Sequence, residues 1–360
     1  MAGFISELSN MSGNYICYNL DTLATFVESV LDYYKDLSYV KFYYAIKANS
    51  DDNVLKLLST KVEGADCASI EEIELALTNG FKTISVTCPG FEGKTISKLL
   101  MKNIHFDVDN IEQLLDADLN NVSIGIRVNP QIGTSRFGII EKDLPKIEYL
   151  SSRGITIDTL HVHYGHKTEE NIDKLLIFIK IILSKNDIFK NIRTINLGGG
   201  IEGFYINGKK DYLKDAIIHI YDMATAILGH EIEIVIEPGS LLSLPIGYLK
   251  TEVKYVNNND VFLSFSKFNL GDWNELNILA INGQELKSNT SEAGINYRFL
   301  GNTCYENDVF GEYNISEIIK KTDNVIFYPV GAYNYSLMRN LHSMKKPKII
   351  YFLNGVIVNG

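Results

Sequence analysis

Short β-rich runs alternate with stretches whose apolar residues recur at helical spacing, and this alternation governs roughly the first two thirds of the chain. Eight runs read as strands: Lys41 to Ala45, Ala65 to Ala68, Thr83 to Thr87, Ile104 to Val108, Val122 to Val128, Thr159 to His163, Thr194 to Leu197 and Ile232 to Ile236. Between them, Ile70-Ile73-Leu77 is closed by Gly80 and Leu144-Ile147-Leu150 by Gly154, since glycine adopts the left-handed C-cap without steric cost. Eight strand-helix units in succession predict a (β/α)8 TIM-type barrel, with an open doubly wound sheet as the competing architecture. The alternation stops after Glu237-Pro238-Gly239. Beyond it, YLKTEVKYV, DVFLSFSKF, INYRFLG, NVIFYPV and KIIYFLNGVIV read as strands without regular intervening helices, which predicts a second, mainly β C-terminal domain. The expected division is an α/β barrel over 20–245 and a β domain made of 1–19 plus 246–360, with the ICYNL run at Ile16 to Leu20 joining that domain or leading into the barrel.

Composition narrows the class. With 360 residues, 46% hydrophobic and 22% charged, the chain has enough apolar material for a large core, which excludes disorder as its main state. A net charge of −10 opposes a nucleic-acid role unless a basic patch overcomes it, and the densest basic run, Lys345, Lys346 and Lys348, reads as a solvated turn around Pro347. No run approaches the ~20 apolar residues of a membrane span. The first fifteen residues do not read as a charged leader with an apolar block, so a soluble cytoplasmic protein is expected. The four cysteines lack CxxC spacing. Strand alternation would put His161 and His163 on one face, with His166 nearby, but no carboxylate or cysteine completes a ligand set, and no metal is expected.

In a barrel, chemistry belongs at the C-terminal ends of the strands. The first strand ends in Ala45-Ile46-Lys47, a lysine in an apolar setting. Desolvation would favour its neutral, nucleophilic amine, whereas the structural alternative is a lysine that snorkels to the rim. The sixth ends in His161-Val162-His163-Tyr164-Gly165, where an imidazole could lie over a ring or serve as a satisfied core residue. The seventh runs into Gly198-Gly199-Gly200, whose backbone N–H groups can converge on a phosphate after strand seven, where a flexible turn is the plainer reading. The eighth ends at Glu237, which could hold a pyridine nitrogen protonated or act as an ordinary ion-pair partner. Together, an amine, a stacking base, a phosphate nest and a ring-nitrogen acid specify pyridoxal phosphate.

From roughly Tyr15 to the C-terminus the chain resembles the fold-type III, alanine-racemase-like pyridoxal-phosphate decarboxylases, the ornithine, diaminopimelate and carboxynorspermidine decarboxylase group. The resemblance rests on Phe42 to Asn49, Gly64-Ala65-Asp66-Cys67-Ala68-Ser69 with Glu72, Arg127-Val128-Asn129-Pro130 and Arg136-Phe137-Gly138. It continues through the histidine, triple-glycine and Glu237-Pro238-Gly239 runs to Gly301-Asn302-Thr303-Cys304 with Asp308, and Gly331-Ala332-Tyr333. It implies that Lys47 carries the cofactor as a Schiff base, His163 stacks on its ring and Glu237 binds the ring nitrogen. Gly198, Gly199, Gly200 and Tyr333 would bind the phosphate, while Asp66, Glu72 and Arg127 line or brace the pocket. Cys304 would reprotonate the substrate carbon from the partner subunit of a head-to-tail homodimer.

The resemblance has departures. Ser240 stands where the group has an arginine and His166 where it has a serine, so a protonated His166 is expected to supply the missing charge beside Ser240 at the phosphate. Tyr305 replaces the acid after the cysteine, with Glu306 following as a second substrate-facing candidate. These exchanges point to decarboxylation of an amino acid or amino-acid conjugate in a specialised pathway such as siderophore or peptide-antibiotic tailoring. Decarboxylation of free ornithine, lysine or diaminopimelate is the alternative. A racemase or epimerase using Tyr305, and a non-catalytic protein-binding relative, are the other readings.

Overall fold

The computed structural model describes residues 2–271, 273–286 and 294–360. The chain forms two units, one of residues 28–241 and one of residues up to 27 together with 242–360. These divisions differ from the expected 19/20 and 245/246 because the helix Leu20–Tyr33 contains the first of them.

In the first unit, eight parallel strands run Val40–Ala45, Gly64–Cys67, Thr83–Val86, His105–Val108, Ser123–Asn129, Thr156–His161, Thr194–Asn196 and Glu233–Ile236. Each pairs with the next in chain order, and Ile234 pairs with Val40 to close the ring. That closing register decides for the barrel over the open sheet. Gly64–Cys67 is buried at every position, as expected of a parallel strand covered on both faces. The surrounding helices show why the helical period was readable. Glu169–Lys185 buries Ile172, Leu175, Ile179, Ile182 and Leu183 on one face and begins at Thr168, whose hydroxyl accepts the Asn171 N–H. Each such aliphatic side chain contributes roughly 1.5–3 kcal/mol by leaving water. Ile70–Thr78 forms as the spacing predicts, with Gly80 at φ +95° beyond its end. The Leu144 to Leu150 pattern does not make an α-helix: Glu141–Arg153 is a 3-10 stretch, and Pro145 inside it has no N–H to donate to a helical ladder.

The second unit is built on a ten-stranded sheet. Its long strand Gly247–Asn257 pairs antiparallel with Tyr15–Asn19, Asn324–Tyr328 and Asp260–Leu263, and Tyr15–Asn19 runs parallel to Lys348–Leu353. The ICYNL run therefore joins the β unit. Helix Ala2–Ser9 lays Phe4, Ile5 and Leu8 onto Cys17, Tyr248, Ala280, Ile326 and Ile350, so both chain ends share one apolar cluster.

Candidate active site

Parallel strands deliver their C-terminal residues to one rim, and the polar residues of the barrel unit gather there. The first strand passes into a tight turn, Ile46–Ala48, with Ile46 and Ala48 buried. The apolar setting expected for Lys47 is not found: its side chain is 48% exposed and its Nζ lies 2.7 Å from Oδ2 of buried Asp66. Asp66 stands there because it is the register partner of Ala45 on the second strand. Ser69 and Glu72 cap the helix that follows. Ser69 Oγ accepts the Glu72 N–H at 3.1 Å, while the Glu72 carboxylate accepts the Ala68 N–H at 2.7 Å. Glu72 thus braces the turn after Asp66, and burial raises its carboxyl above the usual range.

Glu237 is buried after the eighth strand. Burial, and then the charge of Asp66, push its carboxyl upward. Its Oε1 accepts from Asn196 Nδ2 at 2.6 Å, and Asn196 Oδ1 accepts the Gly198 N–H at 2.8 Å. Asn196, which the sequence reading missed, ties the acid to the glycine loop. Its signal was an amide at the end of an apolar strand, two positions before the first glycine. A Cβ on Gly198 would come within 2.4 Å of the His163 ring, on Gly199 within 2.5 Å of the Glu237 carbonyl, and on Gly200 within 2.1 Å of the Gly165 carbonyl. The three glycines let the loops after the sixth, seventh and eighth strands pack together. Gly198 and Gly200 have φ of +67° and +77°, and the N–H groups of Gly199 and Gly200 meet no acceptor among the described residues.

The sixth strand ends at His161, so the alternation expected to align His161 with His163 stops short of the second ring. His161 Nδ1 lies 2.8 Å from Asp107 Oδ2, and Asp107 Oδ1 lies 2.7 Å from His105 Nε2. Burial works to raise the Asp107 carboxyl, yet these two histidines hold it well below the usual carboxylate range. Asp107 was also missed. Its signal was a charge inside an apolar strand, and Gly125 leaves room for it, since a Cβ there would meet Asp107 Oδ1 at 1.7 Å. His163 is held neutral at pH 7, first by burial and then by the nearby cations Lys167 and Arg127. Arg127 is buried, with Nη1 3.2 Å from Asp109 Oδ1 and its guanidinium carbon 4.9 Å from the centre of the Phe137 ring.

His166 meets the glycine loop with its backbone and turns its side chain to solvent. Its side chain is 76% exposed and pairs with Glu202 at 2.6 Å. Lys167, the next residue, is 3% exposed. Its Nζ donates to the Gly199 carbonyl and lies 3.4 Å from His163 Nδ1. Burial brings its ammonium down to about 7, against the opposing pull of Glu237 and Glu202. Ser240, uncharged and half-buried, opens the turn Ser240–Ser243.

The remaining candidates lie in the β unit. Asp308 organises the loop that carries them: it is buried, and its carboxylate accepts from Thr303 Oγ1 at 2.6 Å, the Thr303 N–H at 3.1 Å and the Phe268 N–H at 3.0 Å. Cys304 is exposed, and its N–H donates to His342 Nε2 at 3.0 Å. Tyr305 leans on Phe268 with ring centres 4.5 Å apart and stays 42% exposed, beside exposed Glu306. Tyr333 sits at φ +61° with its ring 4.6 Å from that of Trp273.

Residues 23–243 match the family described as "Pyridoxal-dependent decarboxylase, pyridoxal binding domain". The chain belongs to this family. Diaminopimelate decarboxylase of Helicobacter pylori is 30% identical over 243 residues, a match that spans 59% of this chain and only 58% of that enzyme. Carboxynorspermidine/carboxyspermidine decarboxylase of Campylobacter jejuni is 23% identical, spanning 83% of this chain and 82% of the relative. A crystal structure of diaminopimelate decarboxylase superposes with a TM-score of 0.82 at 20% identity, covering 99% of this chain and 92% of the other, which places the fold.

The barrel residues fit the cofactor that the family name carries. Lys47 offers an amine at the rim, buried Glu237 offers an acid for a basic ring nitrogen, and neutral His163 offers a flat face. The two open N–H groups of the glycine loop suit a phosphate. These donors are complementary to pyridoxal phosphate in both charge and hydrogen bonding.

Proposed function

We propose that the protein is a pyridoxal-phosphate-dependent decarboxylase acting on the α-carboxylate of an amino acid or amino-acid conjugate. The observation that carries this reading is the bonded chain from Glu237 through Asn196 to Gly198 at the same rim as the Lys47–Asp66 pair. When bound, the cofactor supplies a protonated ring that accepts the electron pair released as the Cα–carboxylate bond breaks. The chain's own residues prepare that step. Lys47 must shed a proton to act as a nucleophile, and Asp66 Oδ2 at 2.7 Å is placed to accept it. Glu237 would hold a basic ring nitrogen of the cofactor, Asn196 fixes the orientation of its carboxyl group, and neutral His163 would offer a flat face to the ring without opposing a positive charge on it.

Cys304 returns the proton to the substrate carbon and, in this reading, belongs to the partner subunit of a head-to-tail dimer. Tyr305, a ring and hydroxyl rather than a carboxylate, favours a substrate whose far end is a conjugated group instead of a free ammonium.

Purified protein should show a visible absorption band that Lys47→Ala removes, and a screen of amino acids and their conjugates should find one that releases carbon dioxide. Loss of optical rotation without carbon dioxide would mark a racemase and overturn the reading. Mixing Lys47→Ala with Cys304→Ala chains should restore part of the activity, because one composite site regains both groups. No recovery in demonstrated heterodimers would overturn the shared site.

A further inference from the structure

A buried ammonium without a counter-charge is costly, so its place in a fold needs a reason. Lys167 is 3% exposed, and among the described residues no carboxylate forms an ion pair with it. Its side-chain partners are the Gly199 carbonyl oxygen, neutral His163 Nδ1 at 3.4 Å and the face of the Tyr164 ring at 5.4 Å. Its own N–H donates to the Gly200 carbonyl at 2.7 Å, which fastens its backbone to the glycine loop. Of the two acids that act on it from a distance, Glu237 accepts from Asn196 and Glu202 is paired with His166. The rim's other cations are also committed, Lys47 to Asp66 and Arg127 to Asp109.

We propose that Lys167 is the cation that neutralises the cofactor phosphate at the glycine loop, acting with the open N–H groups of Gly199 and Gly200. The assignment rests on the pyridoxal-phosphate reading above and adds to it a cation that neither Ser240 nor His166 provides. It also accounts for the burial. The charge is kept at the loop for a dianion, and without that dianion the ammonium is disfavoured, the direction in which burial moves its titration. A lysine that served only to hold the loop would need no anion and would act on every ligand of the site alike.

The test compares wild-type and Lys167→Met apoprotein by titration with pyridoxal 5′-phosphate, pyridoxal and inorganic phosphate, following the visible band for the first two and calorimetry for the third. Removing the charge should weaken the two phosphate-bearing ligands by roughly 30-fold or more and pyridoxal by less than about threefold. The melting temperature of the apoprotein should not fall, because a disfavoured buried charge has been removed. Equal weakening of pyridoxal and pyridoxal 5′-phosphate, or no weakening of either, would overturn the assignment. Lys167→Arg keeps the charge and should keep the preference for the phosphate-bearing ligand. If only this variant folds, its loss of that preference would overturn the assignment instead. A wild type that binds pyridoxal 5′-phosphate normally while Lys167→Met matches it would refute Lys167 alone, whereas a wild type that binds none would refute the cofactor reading with it.

Discussion

The barrel rim and the Cys304 loop hold their polar residues in different ways. At the rim, Asp66, Asp107, Arg127, His161, Asn196 and Glu237 are all buried, and each bonds to a residue delivered by another strand of the barrel or its loop. In the β unit the buried member is Asp308, which shapes the loop, while Cys304, Tyr305 and Glu306 stand exposed around it. A site that binds one invariant group gains from residues fixed before the ligand arrives, because little ordering cost is left to meet on binding. Residues that meet a variable substrate lose less by being exchanged when they lie on an exposed loop. The contrast implies that substitutions of these six buried residues affect cofactor and fold together, whereas loop substitutions affect rate and selectivity alone.

The largest effect that would break this contrast is at Lys47. Its side chain is half exposed and its neighbours in the turn carry the local packing, so Lys47→Ala should abolish both the visible band and turnover while the melting temperature changes little. A variant that keeps near-wild-type carbon dioxide release would remove Lys47 from the chemistry. Cys304→Ala comes next. A positioned proton donor typically contributes 10²–10⁴-fold, so turnover should fall by about that factor with the visible band intact. Unchanged rate and product would transfer the proton to Tyr305 or Glu306.

How far the chain could be read follows the same division. The runs that carry Lys47, His163, the three glycines and Glu237 can be picked out in the sequence because each follows within two residues of a strand end, and strand ends are visible in one dimension. Asn196, Asp107 and Lys167 cannot be picked out in this way, because their partners lie 41, 54 and 32 positions away and are brought near by strand pairing and the curvature of the barrel. The sequence offers His166 as the charge at the phosphate, and it does not show that the His166 side chain is exposed and paired with Glu202 while its neighbour Lys167 is buried. The apolar setting foreseen for Lys47 failed for a similar reason: Asp66 reaches it through strand register, not through sequence proximity. On the fold, the alternation located all eight barrel strands to within three residues at each end, but it read a helical period over Leu144 to Leu150 where the chain takes a 3-10 path through Pro145.

A smaller effect sharpens the contrast through stability. Asp107→Asn breaks a buried charged network and should cost about 3–5 kcal/mol of unfolding free energy, measurable by denaturant titration. The sign of its pH dependence follows from two opposite shifts. The Asp107 carboxyl is depressed in the folded protein, so its contribution is present above the unfolded value near 3.9 and lost as pH falls through the folded one. His105 is raised by Asp107 despite its burial, so its contribution is full below the unfolded value near 6.5 and lost as pH rises through the folded one. The difference between wild type and Asp107→Asn should therefore be greatest between about pH 4 and 6.5. A difference that stays constant from pH 3 to 9 would mean that the network contributes packing and no charge.

The smallest effect concerns selectivity, and it tests the loop side of the contrast by itself. Tyr305 rests its ring on Phe268, which in turn lies under the Arg339 guanidinium at 4.4 Å, so the stack offers a surface for a flat or apolar group and no anion for an ammonium. Tyr305→Glu supplies that anion at an exposed position where the change should not disturb Asp308 or the fold. A hydrogen bond to a charged group contributes about 1.5–3 kcal/mol, so kcat/KM for a free diamino acid should rise by roughly 10- to 150-fold relative to that for the natural substrate. The visible band and the melting temperature should stay as in the wild type, since the rim is untouched. A wild type that already decarboxylates ornithine, lysine or diaminopimelate at kcat/KM above roughly 10⁴ M⁻¹s⁻¹ would show that the distal ammonium is met elsewhere, and the conjugate reading would fall. If Tyr305→Glu instead weakens cofactor binding, the loop is not independent of the rim, and the division between fixed cofactor residues and exchangeable substrate residues does not hold for this protein.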